Sequence, residues 1–293
     1  GGEPVEQLGE RLYVETKYDW ANVSAAVTDE GVVLIDSPVR PSDSKDWQDT
    51  VKGLSPKGIR YLIATDYHGD HTTGSSFIDG IGEQVNFIAP QFAYDEILKG
   101  DNAFSKEIFV ETLRDLGHTE EADAITRAAV PHPQFCFEDT MVLHLPPLTF
   151  EIRRMGGHSP ATSAIFVPEE GVLFSSDVVS HTGGGMRDAN LGEWIRALEW
   201  IESLPIKTIV PGHGDICGKD VATRQKERMV SIKGTMEEVL KKGLTKDETV
   251  ADESFQKFFR ADTSRGEYWL QQRKETFRIG IERVYDEVKA DIG

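Results

Sequence analysis

The segment from Thr65 to Thr72 is the part of the chain richest in side chains that could do chemistry. It reads Thr-Asp-Tyr-His-Gly-Asp-His-Thr and holds four potential metal ligands within six residues, namely Asp66, His68, Asp70 and His71. Zinc prefers imidazole nitrogens and carboxylate oxygens, and iron and manganese also accept them. The segment therefore predicts a metal site, although a solvated polar loop without metal would also explain it taken alone.

Three later segments place further histidines and aspartates beside strand-like sequence. They are Gly156-Gly-His158-Ser-Pro, Ser175-Ser-Asp177 and Val210-Pro-Gly-His213-Gly-Asp215. We expect His158, Asp177 and His213 to lie in loops after or beside strands, where catalytic groups are commonly held. Six or seven ligands can then meet in one site, which argues against the metal-free interpretation.

Strand-like and helix-like patterns indicate the elements that must position these side chains. Runs of β-branched and apolar residues predict strands at 11–16, 22–28, 31–36, 59–64, 85–89, 141–145, 149–153, 162–167, 172–175 and 207–210. Helices are predicted at 42–54 and 191–204, in an insertion from about 91 to 130, and after Gly218 nearly to the end. The first three strands form an antiparallel meander, and the strands from 141 onwards form a second β-rich half.

The order of the ligands resembles the pattern of the metallo-β-lactamase superfamily, which is His-x-His-x-Asp-His followed by a His, an Asp or Cys, and a final His. The match spans roughly residues 8 to 215. The resemblance implies an α/β fold, a four-layer αβ/βα sandwich, with a catalytic domain at 1–217 that contains the helical insertion. It also implies a C-terminal helical extension at 218–293 packed on that domain, and a metal-dependent hydrolase.

The resemblance assigns roles to individual residues. It implies a first metal site formed by Asp66, His68 and His158, a second formed by Asp70, His71 and His213, and a bridging Asp177. A hydroxide held between two such cations is nucleophilic at neutral pH, because the metals lower the pKa of bound water.

Further residues are expected to act around these sites. The residues predicted to be catalytic are Asp70, Asp66 and His68. Asp36, which ends the strand Val-Leu-Ile-Asp, is expected to hold the metal loop rather than to bind metal. His181 lies in a Gly-rich stretch four residues after Asp177, and a substrate contact is predicted for it.

One position departs from the superfamily pattern, because Asp66 stands where the pattern has its first histidine. The site could still bind zinc through one carboxylate and two imidazoles, or it could prefer iron or manganese. It could also stay empty, which would leave one metal at the second site. Asp66, His68 or His158 would then be free to act as a general base or to orient substrate. We expect two zinc ions.

The charge of the chain limits its partners. Its 32 Lys and Arg residues stand against 50 Asp and Glu residues, and the formal net charge is -18. Such a surface repels a phosphate backbone, so nucleic acid is not an expected partner. No run reaches the roughly 20 apolar residues of a membrane-spanning helix. We expect a soluble, cytoplasmic enzyme that acts on a small-molecule substrate, and a homodimer is a possible assembly. The chain begins at Gly1 without Met, so a leader removed from the N-terminus is an open alternative.

The expected activity is hydrolysis of a small ester, lactone, amide or related substrate by a metal-bound hydroxide. Dehalogenase, sulfatase and phosphodiesterase chemistry stay open on the same scaffold, because fold analogy does not name a substrate. An iron-containing redox enzyme is a second class of function, and Asp66 would suit it. A non-catalytic binding protein is a third, which the retention of the other ligands disfavours.

Overall fold

Two β-sheets packed face to face form the centre of the molecule. The structure, a computed structural model, describes residues 5–100, 103–181, 185–259 and 263–292, without the side chains of 103–105. One sheet has seven strands in the order β1-β2-β3-β4-β5-β6-β7, and the other has five in the order β12-β11-β10-β9-β8. Each half of the chain therefore builds one sheet.

The seven-stranded sheet combines antiparallel and parallel pairs. Its strands are β1 (Glu6–Leu8), β2 (Leu12–Glu15), β3 (Val23–Thr28), β4 (Gly31–Ile35), β5 (Ile59–Ile63), β6 (Asn86–Pro90) and β7 (Phe135–Phe137). The pairs from β1 to β4 are antiparallel, so the predicted meander is present, and the pairs from β4 to β7 are parallel. Of the first group of ligand candidates, Asp66 and His68 lie in the loop after β5, whereas Asp70 and His71 lie in the short helix Gly69–Thr72 that follows it.

The five-stranded sheet is antiparallel except at one pair. Its strands are β8 (Thr140–Leu145), β9 (Leu148–Arg154), β10 (Ser163–Val167), β11 (Val172–Ser180) and β12 (Thr208–His213). The β11–β12 pair is parallel, so both strands end at the same edge of the sheet. The later ligand candidates lie along this edge.

Helices cover the outer faces of both sheets. They are α1 (Pro41–Lys52), α2 (Gly69–Thr72), α3 (Gln91–Leu98), α4 (Ala103–Asp115), α5 (Thr119–Arg127), α6 (Leu191–Ser203), α7 (Lys219–Lys241), α8 (Lys246–Ala251), α9 (Glu253–Gln256) and α10 (Gly266–Ile292), with short 3-10 helices at Thr73–Phe77 and Thr263–Arg265. Helix α1 buries Trp47 and Val51 against the seven-stranded sheet. Helices α6, α7 and α10 pack on the five-stranded sheet. The predicted four-layer sandwich is confirmed.

Strand β4 shows why the two sheets stack. Its side chains are apolar at every position after Gly31. Val33 and Ile35 lie in the cluster between the sheets, and Val32 and Leu34 lie in the cluster under α1. Because successive side chains of a strand point to opposite faces, a continuous apolar run is buried on both sides.

The predicted C-terminal end of strand β11 was wrong. The prediction stopped the strand at Ser175 and put Asp177 in a loop, whereas the strand continues to Ser180. The register of pairing with β12 shifts at Ser176, whose φ is 48°. This irregularity lets the strand continue while it aims the Asp177 carboxylate at the sheet edge.

Two strands were not predicted. Strands β1 and β7 have three residues each, too few to show an alternating pattern. The helical insertion lies where it was expected, as α3, α4 and α5. Helix α10 packs through Val284, Tyr285 and Val288 onto the same cluster as α6 and α7. Among the described residues, no helix has the length and apolar character needed to cross a bilayer.

Candidate metal centre

A compact group of four side chains forms at the edge where β5, β11 and β12 end. Donor atoms of Asp70, His71, Asp177 and His213 all lie within 4.8 Å of one another. The Nε2 atom of His213 is 3.2 Å from Asp70 Oδ2 and 3.3 Å from Asp177 Oδ1. These separations are those of ligands around one small cation. We call this group the second site.

Hydrogen bonds fix which nitrogen of each imidazole faces the second site. His71 Nδ1 is 2.9 Å from Asp36 Oδ2, and His213 Nδ1 is 2.8 Å from the carbonyl oxygen of Trp20. Both partners only accept, so both Nδ1 atoms carry the proton and the Nε2 lone pairs face Asp70 and Asp177. Lone pairs and carboxylates that face each other need positive charge between them, which either protons or a metal cation can supply.

Two buried atoms of this site lack a hydrogen-bond partner within the part of the chain that the structure describes. They are His71 Nε2 and Asp177 Oδ1, which lie 3.6 Å apart. Buried polar atoms are almost always paired, because an unpaired one costs free energy of desolvation. The donor set and its orphaned atoms fit a divalent cation.

The pKa values show the same demand for positive charge. Burial lowers the pKa of His213, but the carboxylates of Asp177 and Asp70 outweigh it and raise the pKa to about 10. Burial likewise opposes the charged form of His71, yet Asp36 and Asp70 raise its pKa well above the ordinary value. A metal ion would supply this charge in place of the protons.

A second group of three ligand candidates lies on the other side of Asp177. Donor atoms of Asp66, His68 and His158 lie within 4.8 Å of one another, and we call this group the first site. His158 Nε2 is 3.1 Å from His68 Nδ1 and 3.2 Å from Asp177 Oδ2. Burial lowers the pKa of His158, which favours the neutral imidazole that binds metals. Asp177 thus faces one site with each carboxylate oxygen.

Asp66 differs from the other carboxylates of the centre. It is completely buried, and its Oδ1 accepts hydrogen bonds from Tyr67 N at 2.6 Å and Ser159 Oγ at 2.7 Å. Its Oδ2 accepts from Thr162 Oγ1. A carboxylate offers about four acceptor positions, so these donors leave one for a metal. Sequence reasoning missed Ser159 and Thr162, whose hydroxyl groups hold the Asp66 carboxylate.

Backbone geometry at the centre is unusual. The described non-glycine residues with positive φ are Trp20, Asp36 and Ser176, and each adjoins a ligand candidate. A left-handed backbone conformation costs free energy for residues other than glycine, and such residues are therefore found mainly at functional sites. Gly212 adds a steric requirement, since a Cβ there would stand 1.9 Å from Asp177 Oδ1.

Asp36 lies behind the second site and not in it. Its Oδ1 accepts from Thr65 N at 2.8 Å, and its Oδ2 accepts from Thr65 Oγ1 at 2.7 Å as well as from His71. The carboxylate therefore ties the end of β5 to the His71 ring. The role predicted for Asp36, to hold the metal loop rather than to bind metal, stays a prediction.

Asp188 has the corresponding place behind the first site, and sequence reasoning missed it. Its Oδ2 lies 3.0 Å from His68 Nε2 and accepts from Tyr67 Oη at 2.8 Å and Arg187 Nε at 2.8 Å. Burial raises the pKa of Asp188, but His68 and Arg187 lower it far below its usual value. The charged carboxylate holds the proton on His68 Nε2 and leaves Nδ1 free for the site.

His181 lies outside both sites. Its side chain is exposed, and its backbone N–H donates to the carbonyl oxygen of His213 at 3.2 Å. The glycines that follow it at 183 and 184 are outside the described residues. The substrate contact predicted for His181 stays a prediction.

Comparison with known proteins gives consistent matches. The family model of the metallo-beta-lactamase superfamily matches residues 20–213. A metallo-beta-lactamase type 2 of Elizabethkingia meningoseptica is 24% identical over 225 residues, which cover 72% of this chain and 78% of the relative. A linear primary-alkylsulfatase of Pseudomonas sp. (strain ATCC 19151) is 21% identical over 257 residues, which cover 75% of this chain and 47% of the relative.

Among solved structures, a stereoselective inverting sec-alkylsulfatase from Pseudomonas sp. superposes with a TM-score of 0.71 at 16% identity. The superposition covers 96% of this chain and 49% of that protein. This chain therefore spans about half the length of the alkylsulfatases that it matches. The family match covers both ligand groups, from Trp20 to His213, and the chain belongs to the metallo-beta-lactamase superfamily of metal-dependent hydrolases.

Proposed function

We propose that the chain holds two zinc ions and hydrolyses a small ester, lactone, amide or related substrate. The placement of Asp177 carries the proposal, because its Oδ1 faces the imidazoles of the second site and its Oδ2 faces His158 of the first. A carboxylate that divides its oxygens between two groups of imidazoles suits a pair of cations. The donors are nitrogen and oxygen atoms, which zinc accepts readily.

The residues of the chain would have distinct tasks in this reaction. The second site would hold a cation through Asp70, His71 and His213, and the first would hold one through Asp66, His68 and His158. When bound, the cations supply a coordinated water of lowered pKa and polarise the bond under attack. Asp36 and Asp188 keep the ligand nitrogens free of protons by holding the protons on the opposite ring nitrogens.

Metal content and a substrate panel test this proposal together. Protein purified without added metal should contain close to two zinc ions per chain by mass spectrometry and should hydrolyse at least one ester, lactone or amide. Asp70→Ala should lose metal and turnover, whereas the control Asp139→Ala, at an exposed aspartate, should keep both. A single zinc ion per chain, or iron-rich protein without hydrolase activity, would contradict it.

Hydrolysis of an alkyl sulfate ester is a second candidate. The observation that favours it is the extent of the similarity to the sec-alkylsulfatase structure, which covers 96% of this chain and so includes helices beyond β12. The linear primary-alkylsulfatase relative agrees with this. Release of inorganic sulfate from a primary and a secondary alkyl sulfate distinguishes this candidate from ester or lactone hydrolysis.

Several expectations from the sequence keep the status of predictions. They are a catalytic domain at 1–217 with an extension at 218–293, a homodimer, a cytoplasmic location and a substrate contact at His181. The apolar cluster shared by α6, α7 and α10 supports an extension that packs on the main body.

A further inference from the structure

Helix α10 contacts the loop that contains Met186 and Ala189, beside the metal centre. A Cβ at Gly280 would stand 2.7 Å from Met186 Cβ, so the helix approaches this loop very closely. Arg283 Nε donates to the carbonyl oxygen of Ala189 at 2.8 Å. Arg273 precedes Gly280 by about two helical turns and therefore lies on the same face.

The guanidinium of Arg273 lies beside the first site. The point where a Cβ on Gly185 would stand is 3.3 Å from Arg273 Nη1 and 3.8 Å from His158 Cε1. Burial lowers the pKa of Arg273, while the carboxylates of Asp177 and Asp70 raise it, so the charge is within electrostatic range of the ligand candidates. A residue from the far end of the chain thus borders the metal centre.

No hydrogen bond or ion pair to the side chain of Arg273 is found among residues 5–100, 103–181, 185–259 and 263–292; its backbone carbonyl accepts from Thr276 Oγ1 at 3.2 Å. Arg187, which is also partly buried near this site, is paired with Asp188 at 2.7 Å. A cation removed from water without a partner costs free energy, so such residues are usually matched by an acid. Arg273 is thus a half-buried cation without an acidic side-chain partner among the described residues.

Bound metal ions would make this need stronger. The metal cations would then neutralise the carboxylates of Asp70 and Asp177, and these would no longer compensate the charge of the Arg273 guanidinium. The chain as a whole has a net charge of -18, so its general field repels anionic molecules. An arginine offers parallel N–H donors that match the oxygens of a sulfate or a carboxylate.

We propose that Arg273 binds an oxyanion of the substrate next to the first site. The inference rests on the proposed hydrolase function and names the substrate class for the same site: molecules that carry a negatively charged group beside the bond that is cleaved. A sulfate monoester and an ester with a neighbouring carboxylate share this chemistry. A neutral ester or lactone does not.

Anion binding and kinetics with three variants test the proposal. Arg273→Met removes the charge and keeps an unbranched side chain. Arg273→Lys keeps the charge but lacks the parallel N–H donors of the guanidinium. The control, Lys274→Met, removes an exposed charge from the neighbouring position. Metal-loaded proteins of equal metal content are titrated calorimetrically with inorganic sulfate and, separately, with acetate. The kcat/KM values for an anionic and a neutral aryl ester are also compared.

We expect Arg273→Met to weaken binding of one of the two anions by about 10- to 100-fold, because a charge-assisted hydrogen bond is lost. Arg273→Lys should fall between this variant and the parent protein, and Lys274→Met should match the parent. Loss for sulfate identifies a sulfate ester as the substrate type, and loss for acetate identifies a carboxylate. The ratio of kcat/KM for anionic over neutral substrates should fall by a similar factor in Arg273→Met.

The outcomes separate this inference from the proposed function. If Arg273→Met binds both anions as tightly as the parent, or if the parent binds neither, the oxyanion site is wrong even where the parent hydrolyses esters. An unchanged kcat/KM ratio would also overturn it. The parent protein could also hydrolyse none of the substrates and still bind an anion that Arg273→Met fails to bind. In that case the proposed hydrolysis is wrong and the anion site stands.

Discussion

Replacing Asp188 perturbs the orientation of His68 without removing a ligand. The carboxylate accepts from His68 Nε2 at 3.0 Å, and the side chains of Asp188 and His68 are only 22% and 15% exposed. Solvent therefore screens this pair less than a surface pair. Asp188→Asn keeps the shape and one acceptor oxygen but removes the charge, and Asp188→Ala removes the hydrogen bond as well.

The size of the effect follows from this contact. A hydrogen bond to a charged group contributes about 1.5–3 kcal/mol and a neutral one about 0.5–1.5 kcal/mol. Asp188→Asn should thus lose about 1–1.5 kcal/mol of metal binding at the first site, or roughly 5- to 10-fold in affinity. Asp188→Ala should lose about 10- to 100-fold, the usual range for removal of a partner of a ligating histidine.

Calorimetric zinc titration of the metal-free proteins measures this loss, since the two sites should bind in separable steps. The control is Asp139→Ala, which also removes an aspartate paired with an arginine, at 3.0 Å, but one that is 80% exposed. Unchanged affinity of both Asp188 variants at the first site, with unchanged melting temperature, would refute the reasoning. An equal loss at both sites would also refute it, because Asp188 contacts only the first.

Three other substitutions give sharp expectations. Asp66→His should keep metal at the first site by mass spectrometry, while the hydroxyls left without their carboxylate lower the free energy of unfolding in urea by about 1–3 kcal/mol. Asp36→Asn retains a residue that tolerates φ of 57° and should weaken zinc binding at the second site by about 10- to 100-fold in the same titration. Glu287 accepts from Leu191 N and Gly192 N, both at 2.9 Å, at the start of α6; Glu287→Ala should lower the free energy of unfolding in urea by about 1–2 kcal/mol. Loss of first-site metal from Asp66→His, no change in zinc affinity for Asp36→Asn, or full stability of Glu287→Ala would contradict these expectations in turn.

The sequence predicts the main features of this fold for definite physical reasons. Strand β4 is buried on both faces, so its apolar run is visible without any structure. The loop from Asp66 to His71 is also visible, because it concentrates ligand types that seldom occur together. The order of the remaining ligands then indicates the superfamily, and the family match agrees with that order.

Contacts between distant parts of the chain explain what the sequence does not show. Asp188 lies 120 positions after His68, and no spacing rule links the two. Arg273 stands in an ordinary helical pattern, and only the approach of α10 to the loop at Met186 brings it to the metal centre. The place of Asp177 inside β11 depends on a register shift with β12, which is a property of the strand pair.

A crystal structure of the metal-bound protein with anomalous data at the zinc absorption edge tests the central claim most directly. The account predicts two anomalous peaks, one about 2.0–2.2 Å from ligand atoms of Asp70, His71 and His213 and the other at the same distance from His68 and His158. Asp177 should contact both. A single peak, or peaks away from these residues, would contradict the account.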